Sequence, residues 1–151
     1  MLKVLIVEDS FGTRLVYRQW CHSLFALVGR EGTVHEVSSL EAAQEKLQAA
    51  QEAPYHLVLM DISFPVERKD SRGFSRLELD PSAGLRLCER MGREHPSTPI
   101  MVASSTRMDA EAVDFLNNRE KCPTVRAFVI EPFSHERFLE IAEPLLRAVP
   151  P

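Results

Sequence analysis

Four places in the chain set side chains capable of chemistry directly after an apolar run. Glu8-Asp9 follow Leu2–Val7, Asp61 follows Leu57–Met60, Ser104-Ser105 follow Ile100–Ala103, and Glu131-Pro132 follow Ala127–Ile130. One acidic residue in such a place means little, because Asp often caps the next helix. Three acidic ends and one hydroxyl end, each in the same position relative to its run, ask for a shared cause. If the runs lie side by side, Glu8, Asp9 and Asp61 bring three carboxylates together. Like charges at that range repel strongly, so the cluster requires a cation or a proton. Hard oxygen ligands that leave room for water suit Mg²⁺ better than Zn²⁺. A metal that also touches a transferring phosphoryl group is the usual reason for such a cluster. Asp61 is then the expected nucleophile, since a carboxylate accepts a phosphoryl group as an aspartyl phosphate. Ser104 is placed to hydrogen-bond a phosphoryl oxygen.

The elements that must position these groups follow from periodicity. The four runs are rich in Val, Ile and Leu and hardly alternate with polar residues, which is how strands buried on both faces of a parallel sheet read. Thr33–Val37, with His35 and Glu36, reads as a fifth strand at an edge. Helical spacing fills the gaps. Val16, Trp20, Leu24 and Leu27 form one stripe, and Leu40, Ala43, Leu47 and Ala50 a second behind a Ser38/Glu41 capping box. Asp80-Pro81 opens a third helix with Leu85, Cys88 and Met91 on one face. Asp109–Arg119 and Ser134–Ala148 are the last two, and Pro144 is expected to kink the final one. Strands alternating with helices predict an α/β doubly wound fold with right-handed crossovers, whose ligands bind beyond the carboxyl ends of the strands. Val66–Leu79 shows no clear period and reads as a long irregular insertion.

Composition narrows the setting. At 151 residues the chain suits one compact domain, able to bury ~68–70% of its unfolded surface without disulfide staples. Asp plus Glu (22) exceed Lys plus Arg (18), and the net charge of −4 argues against direct nucleic-acid binding. Cys21, Cys88 and Cys122 are odd in number and lack metal-ligand spacing, so they read as reduced thiols of a cytoplasmic protein. No run approaches the ~20 apolar residues of a membrane span, and the early Glu8-Asp9 breaks any signal-peptide core. The five histidines share no spacing suited to a metal or a phosphorelay. The glycines of phosphate loops and nucleophile elbows are absent.

The whole pattern resembles the receiver domain of response regulators in two-component signalling. The matching stretches are Lys3-Val4-Leu5-Ile6-Val7-Glu8-Asp9-Ser10, Leu57–Asp61 running to Pro65, Pro99–Ser105, and Phe128-Val129-Ile130-Glu131-Pro132-Phe133. The resemblance implies a flavodoxin-like five-stranded parallel sheet in the order 2-1-3-4-5, with helices on both faces. It spans residues 1–149 as a single receiver domain with an insertion at 66–79 and no output domain. It implies Mg²⁺ held by Glu8, Asp9, Asp61 and the backbone carbonyl of Ser63, with Asp61 as phosphoacceptor. Ser104 takes the switch-hydroxyl position, and Phe128 the aromatic position of the switch surface. The implied function is a stand-alone receiver, not an enzyme beyond self-phosphorylation and self-dephosphorylation. Its implied partners are a histidine kinase or phosphotransfer protein and a downstream protein target, with no direct nucleic acid or membrane contact, and with room for a homodimer.

Two departures fall at the active edge. The family places a lysine directly before the proline of the last motif, and this chain has Glu131; the insertion also delays the third helix. A fourth carboxylate beside Glu8, Asp9 and Asp61 has three outcomes open to it: rotation to solvent, a cation, or pairing with a basic residue. Arg107, Arg68, Lys69, Arg72 and Arg76 are the basic residues considered. Two other function classes share the acidic cluster. One is a pseudo-receiver that binds partners without phosphorylation, and the other is a small metal-dependent phosphohydrolase.

Overall fold

The computed structural model describes residues 1–104 and 109–151. In chain order the elements are β1 (Leu2–Val7), α1 (Phe11–Val28), β2 (Gly32–Val37), α2 (Leu40–Ala49), β3 (Leu57–Met60), β4 (Phe64–Lys69), β5 (Ser75–Asp80), α3 (Ser82–Glu94), β6 (Ile100–Ser104), α4 (Ala110–Asn117), β7 (Val125–Ile130) and α5 (His135–Arg147). The main sheet is parallel throughout, in the order β2-β1-β3-β6-β7. With the β4–β5 hairpin set aside, this is the expected 2-1-3-4-5 arrangement. Among the described residues no helix is long and apolar enough to cross a membrane.

The apolar runs are unbroken because both faces of the sheet are covered. Side chains alternate along a strand, so Leu2, Val4 and Ile6 pack with Leu57, Leu59, Met101 and Ala103 against α1 and α5. Leu5 and Val7 pack with Val58, Met60, Ile100 and Val102 on the side of α2, α3 and α4. Helix α1 buries Tyr17, Cys21, Leu24 and Phe25, while Val16 and Leu27 are over 40% exposed. Of the expected stripe, Leu24 is buried and Trp20 packs against the same core, while Val16 stands one position off the buried face that Tyr17 leads. Ser10 caps α1, accepting from Thr13 N–H at 3.3 Å, and Gly29 ends it in the left-handed conformation that glycine adopts without strain. Ser39, one residue beyond the expected Ser38, caps α2. Helix α5 runs through Pro144.

The stretch expected to be irregular is an antiparallel hairpin, pairing Phe64 with Asp80 and Lys69 with Ser75. Its turn is built on Asp70, whose carboxylate accepts from Arg72 and Phe74 N–H while Gly73 takes a positive φ of 83°. The alternation of Leu77-Glu78-Leu79-Asp80 behind a glycine turn carries the strand signal. The four basic residues spread through the segment mask it.

Gly84 brings the first turn of α3 against the loop after β3. A Cβ there would meet the backbone of Ile62, 2.5 Å from its carbonyl oxygen and 2.6 Å from its Cα. Gly→Ala inside a helix normally stabilises by about 0.5–1 kcal/mol. Here the neighbour is main chain and cannot swing aside, so we expect Gly84→Ala to destabilise by about 1–3 kcal/mol in urea denaturation. A variant as stable as the parent would show that α3 is free to move off the loop.

Candidate functional site

The carboxyl ends of β1, β3, β6 and β7 meet at one edge of the sheet. Asp61 N–H donates to the Val7 carbonyl at 2.9 Å, which seats Asp61 beside the Glu8-Asp9 turn. Carboxylate oxygens of Glu8, Asp9 and Asp61 lie within 4.8 Å of one another. Glu8 and Asp61 are almost wholly buried, and Asp9 is exposed at the mouth. Asp61 is fixed by the Ser63 N–H, 2.8 Å from Oδ1, and Glu8 by the Ser10 N–H, 2.9 Å from Oε1. The other Glu8 oxygen, Oε2, is buried with no hydrogen-bond partner. An orphaned carboxylate oxygen aimed into a cluster of hard oxygen donors is the chemistry that a divalent cation satisfies. These three residues can therefore hold such an ion.

Ser104 ends β6 as a buried hydroxyl and donates to the Ser63 Oγ at 3.0 Å, tying two strand ends across the site. Ser63 enters the site through its side chain as well as its backbone, a contact that the strand-end pattern does not foretell. Phe128 pairs in register with Val102 and packs, half-buried, on the α2–α4 side of the sheet. Ser105 and Arg107 lie outside the described residues.

Glu131 is half-buried rather than turned out to solvent, and among the described residues it forms no ion pair. Its N–H donates to the Ser104 carbonyl, and its carboxylate accepts a hydrogen bond from the buried Tyr17 hydroxyl. The hairpin arginines are engaged elsewhere: Arg68 with Asp80 and Glu78, Arg72 with Asp70, Arg76 with Glu78. Among the described residues the partner of Glu131 is a neutral donor, the Tyr17 hydroxyl. Tyr17 was missed because the α1 stripe was begun at Val16, one residue before it. On the correct face, Tyr17 leads Cys21, Leu24 and Phe25 and points at the β7 end. Arg14 was missed too; its guanidinium spans the Glu8 and Asp9 carbonyls at 2.7 and 3.0 Å.

Burial pushes Glu8 up to about 8, with the charges of Asp61 and Glu131 adding to it. Burial also lifts Asp61 to about 6, against the Ser63 and Ser104 hydrogen bonds that favour its charged form. The same causes, with Glu131 as acceptor, hold Tyr17 far above the usual phenol range. The folded chain thus keeps protons that the unfolded chain has lost above about pH 4.5. Stability from this source is complete below the unfolded values and drains away as pH rises through 6 and then 8. We expect the Tm in a chelating buffer to fall between pH 5 and pH 8. Glu8→Gln should flatten that slope most, Asp61→Asn should raise the Tm at pH 8, and Mg²⁺ should restore it in the parent. A Tm that climbs across this range would show the cluster to be freely ionised.

No family model and no curated protein matches the chain. Solved structures do. The signal receiver domain of an HD domain-containing protein from Pseudomonas fluorescens superposes with a TM-score of 0.66 at 15% identity, covering 96% of this chain and 94% of that one. The response regulator DrrB from Thermotoga maritima gives 0.61 at 18% identity over 97% of this chain, which spans 52% of DrrB. RcsB from Salmonella enterica, solved on promoter rprA in the presence of phosphomimetic BeF3⁻, gives 0.65 at 14% over 95% of this chain and 67% of that one. Identities this low establish architecture, and the architecture is the receiver-domain fold of response regulators.

Proposed function

We propose that this chain is a receiver that accepts a phosphoryl group on Asp61 in two-component signalling. The observation that carries the reading is the buried Asp61 at the end of β3, with Glu8 and Asp9 converging on it and Ser104 tied across it. In this reading Glu8, Asp9, Asp61 and the Ser63 carbonyl hold Mg²⁺, which would neutralise charge developing on the transferred group. The free Asp61 oxygen attacks phosphorus as the P–N bond of a phosphohistidine breaks, and the departing imidazole keeps the electron pair and takes up a proton. Ser104 turns its hydroxyl from Ser63 toward the new phosphoryl oxygens, and Phe128, in the next strand, reports that movement to a partner surface. A histidine kinase or phosphotransfer protein is the donor, a protein target reads the output, and the setting is cytoplasmic. The chain is not an enzyme beyond its own phosphorylation and dephosphorylation.

A second reading rests on Glu131. Where a lysine would meet the phosphoryl group, the chain presents a carboxylate held by Tyr17. That anion disfavours a doubly charged phosphoryl group nearby and suits a module that binds partners without phosphorylation.

Incubation with acetyl phosphate and Mg²⁺ decides between them. We expect intact-mass spectrometry to show one added phosphoryl group, base-labile and absent from Asp61→Asn. Glu131→Lys should raise the phosphorylated fraction about tenfold or more, since it replaces a repulsive contact by an attractive one. An unmodified parent beside a modified Glu131→Lys variant would establish the second reading instead.

A further inference from the structure

The β4–β5 hairpin carries apolar side chains on both of its faces. Register puts Phe64, Val66 and Arg68 on one face with Asp80, Glu78 and Arg76. This face is turned to the body, its Phe64 packs on the core, and it holds the Arg68–Asp80, Arg68–Glu78 and Arg76–Glu78 ion pairs. The opposite face carries Pro65, Leu79 and Leu77 to solvent, with Leu77 74% and Leu79 51% exposed. Glu67 and Lys69 share that outer face with the leucines, so two large apolar side chains stand in water among charges.

The hairpin also has an open edge. Asp70 N–H donates to the Phe74 carbonyl, so the bonded pairs continue at every second step through Arg68–Arg76 and Val66–Glu78. Ser75, Leu77 and Leu79 consequently aim their N–H and C=O groups away from β4. Among the described residues β5 has no other strand beside it. Natural edge strands are usually blunted by charge, proline or a cover. Strand β4 follows that rule, because Pro65 lies on its outer edge. Strand β5 does not.

The β5 sequence, Ser75-Arg76-Leu77-Glu78-Leu79-Asp80, is its own complement when read antiparallel about Leu77. Leu77 then faces the second copy's Leu77 in a pair that exchanges two main-chain hydrogen bonds. Arg76 faces the second copy's Glu78, Glu78 faces its Arg76, and Ser75 and Leu79 exchange the next bonds. The equivalent pairing through β4 would set Glu67 against Glu67 and lose a donor at Pro65. We propose that the chain forms a two-fold homodimer by antiparallel pairing of β5 with β5, making one four-stranded sheet from two hairpins. Closed symmetry and the proline at the outer edges stop growth at two copies. A contact of this size belongs with transient interfaces, below about 1,200 Å² in total, so the dimer is concentration-dependent. It makes no use of Asp61 and stands apart from the phosphorylation reading.

Sedimentation equilibrium of the whole chain from roughly 1 μM to 1 mM, the window of weak association, tests this. We expect the mass to rise from 17.1 kDa toward twice that value. Leu77→Pro should remain monomeric throughout while keeping its far-UV circular dichroism, because the lost N–H points away from β4. Arg76→Glu and Glu78→Arg should each weaken the dimer about tenfold or more, as two contacts reverse. Mixing those two variants, or combining both changes in one chain, should restore it. A parent chain that stays monomeric at the highest concentration overturns the proposal. So does dimerisation unaffected by Leu77→Pro, or a mixture no heavier than its components.

Discussion

Electrostatic repulsion between carboxylates is the constraint around which this molecule is arranged. Three acidic groups within 4.8 Å, two of them nearly dry, repel with on the order of 3–4 kcal/mol per ionised pair at an effective dielectric near 20. The two local main-chain donors, the Ser10 and Ser63 N–H groups, do not bring the acids together. The arrangement persists because each acid sits at the end of a strand whose position is set by apolar side chains on both faces of the sheet. Leu5, Val7, Val58 and Met60 hold β1 against β3, and the register they fix brings Asp61 to Glu8 whether or not the charges agree. The cost is met by proton uptake, by main-chain donors from Ser10 and Ser63, and by a site that suits a cation.

Glu131 shows how the same pressure is handled without a full charge. A lysine in its place would attract the cluster; a carboxylate must be kept from it. The Tyr17 hydroxyl does this by hydrogen-bonding the anion on the α1 side, and aromatic contacts with Trp20 and Phe133 hold the phenol in place. Sequence alone suggested a search among arginines because Coulombic compensation is the first answer to buried charge. A neutral donor from the far side of the sheet is cheaper, since it brings no second ion to desolvate.

What was legible in the sequence was whatever burial makes uniform. Unbroken runs such as Leu57–Met60 read as buried parallel strands, so the convergence of Glu8, Asp61, Ser104 and Glu131 at one edge was readable, while the strand order came from the family resemblance. What was not legible depends on phase or on solvent. The α1 stripe took in Val16 and Leu27, which are apolar yet exposed, and so passed over Tyr17. The Ser104–Ser63 and Tyr17–Glu131 contacts join residues 41 and 114 positions apart, and no spacing encodes them. The hairpin was hidden because charges and exposed leucines are mixed on its faces, so no clean alternation of apolar and polar residues marks its strands.

The hairpin leaves and rejoins the scaffold through paired residues, Phe64 and Asp80, and this has a consequence for how the chain could have acquired it. Loop-closure entropy grows only logarithmically with length, and a segment whose ends already stand side by side adds almost none. The link between β3 and α3 is therefore, to the scaffold, a short connection of Asp61–Ser63 on one side and Pro81 on the other. The intervening strands are a cassette carried on it. Such a cassette can be lengthened, exchanged or removed without altering the entropy of the chain segment that carries Asp61. Surface novelty at this position is thus uncoupled from the geometry of the acidic edge, and the two can diversify at different rates.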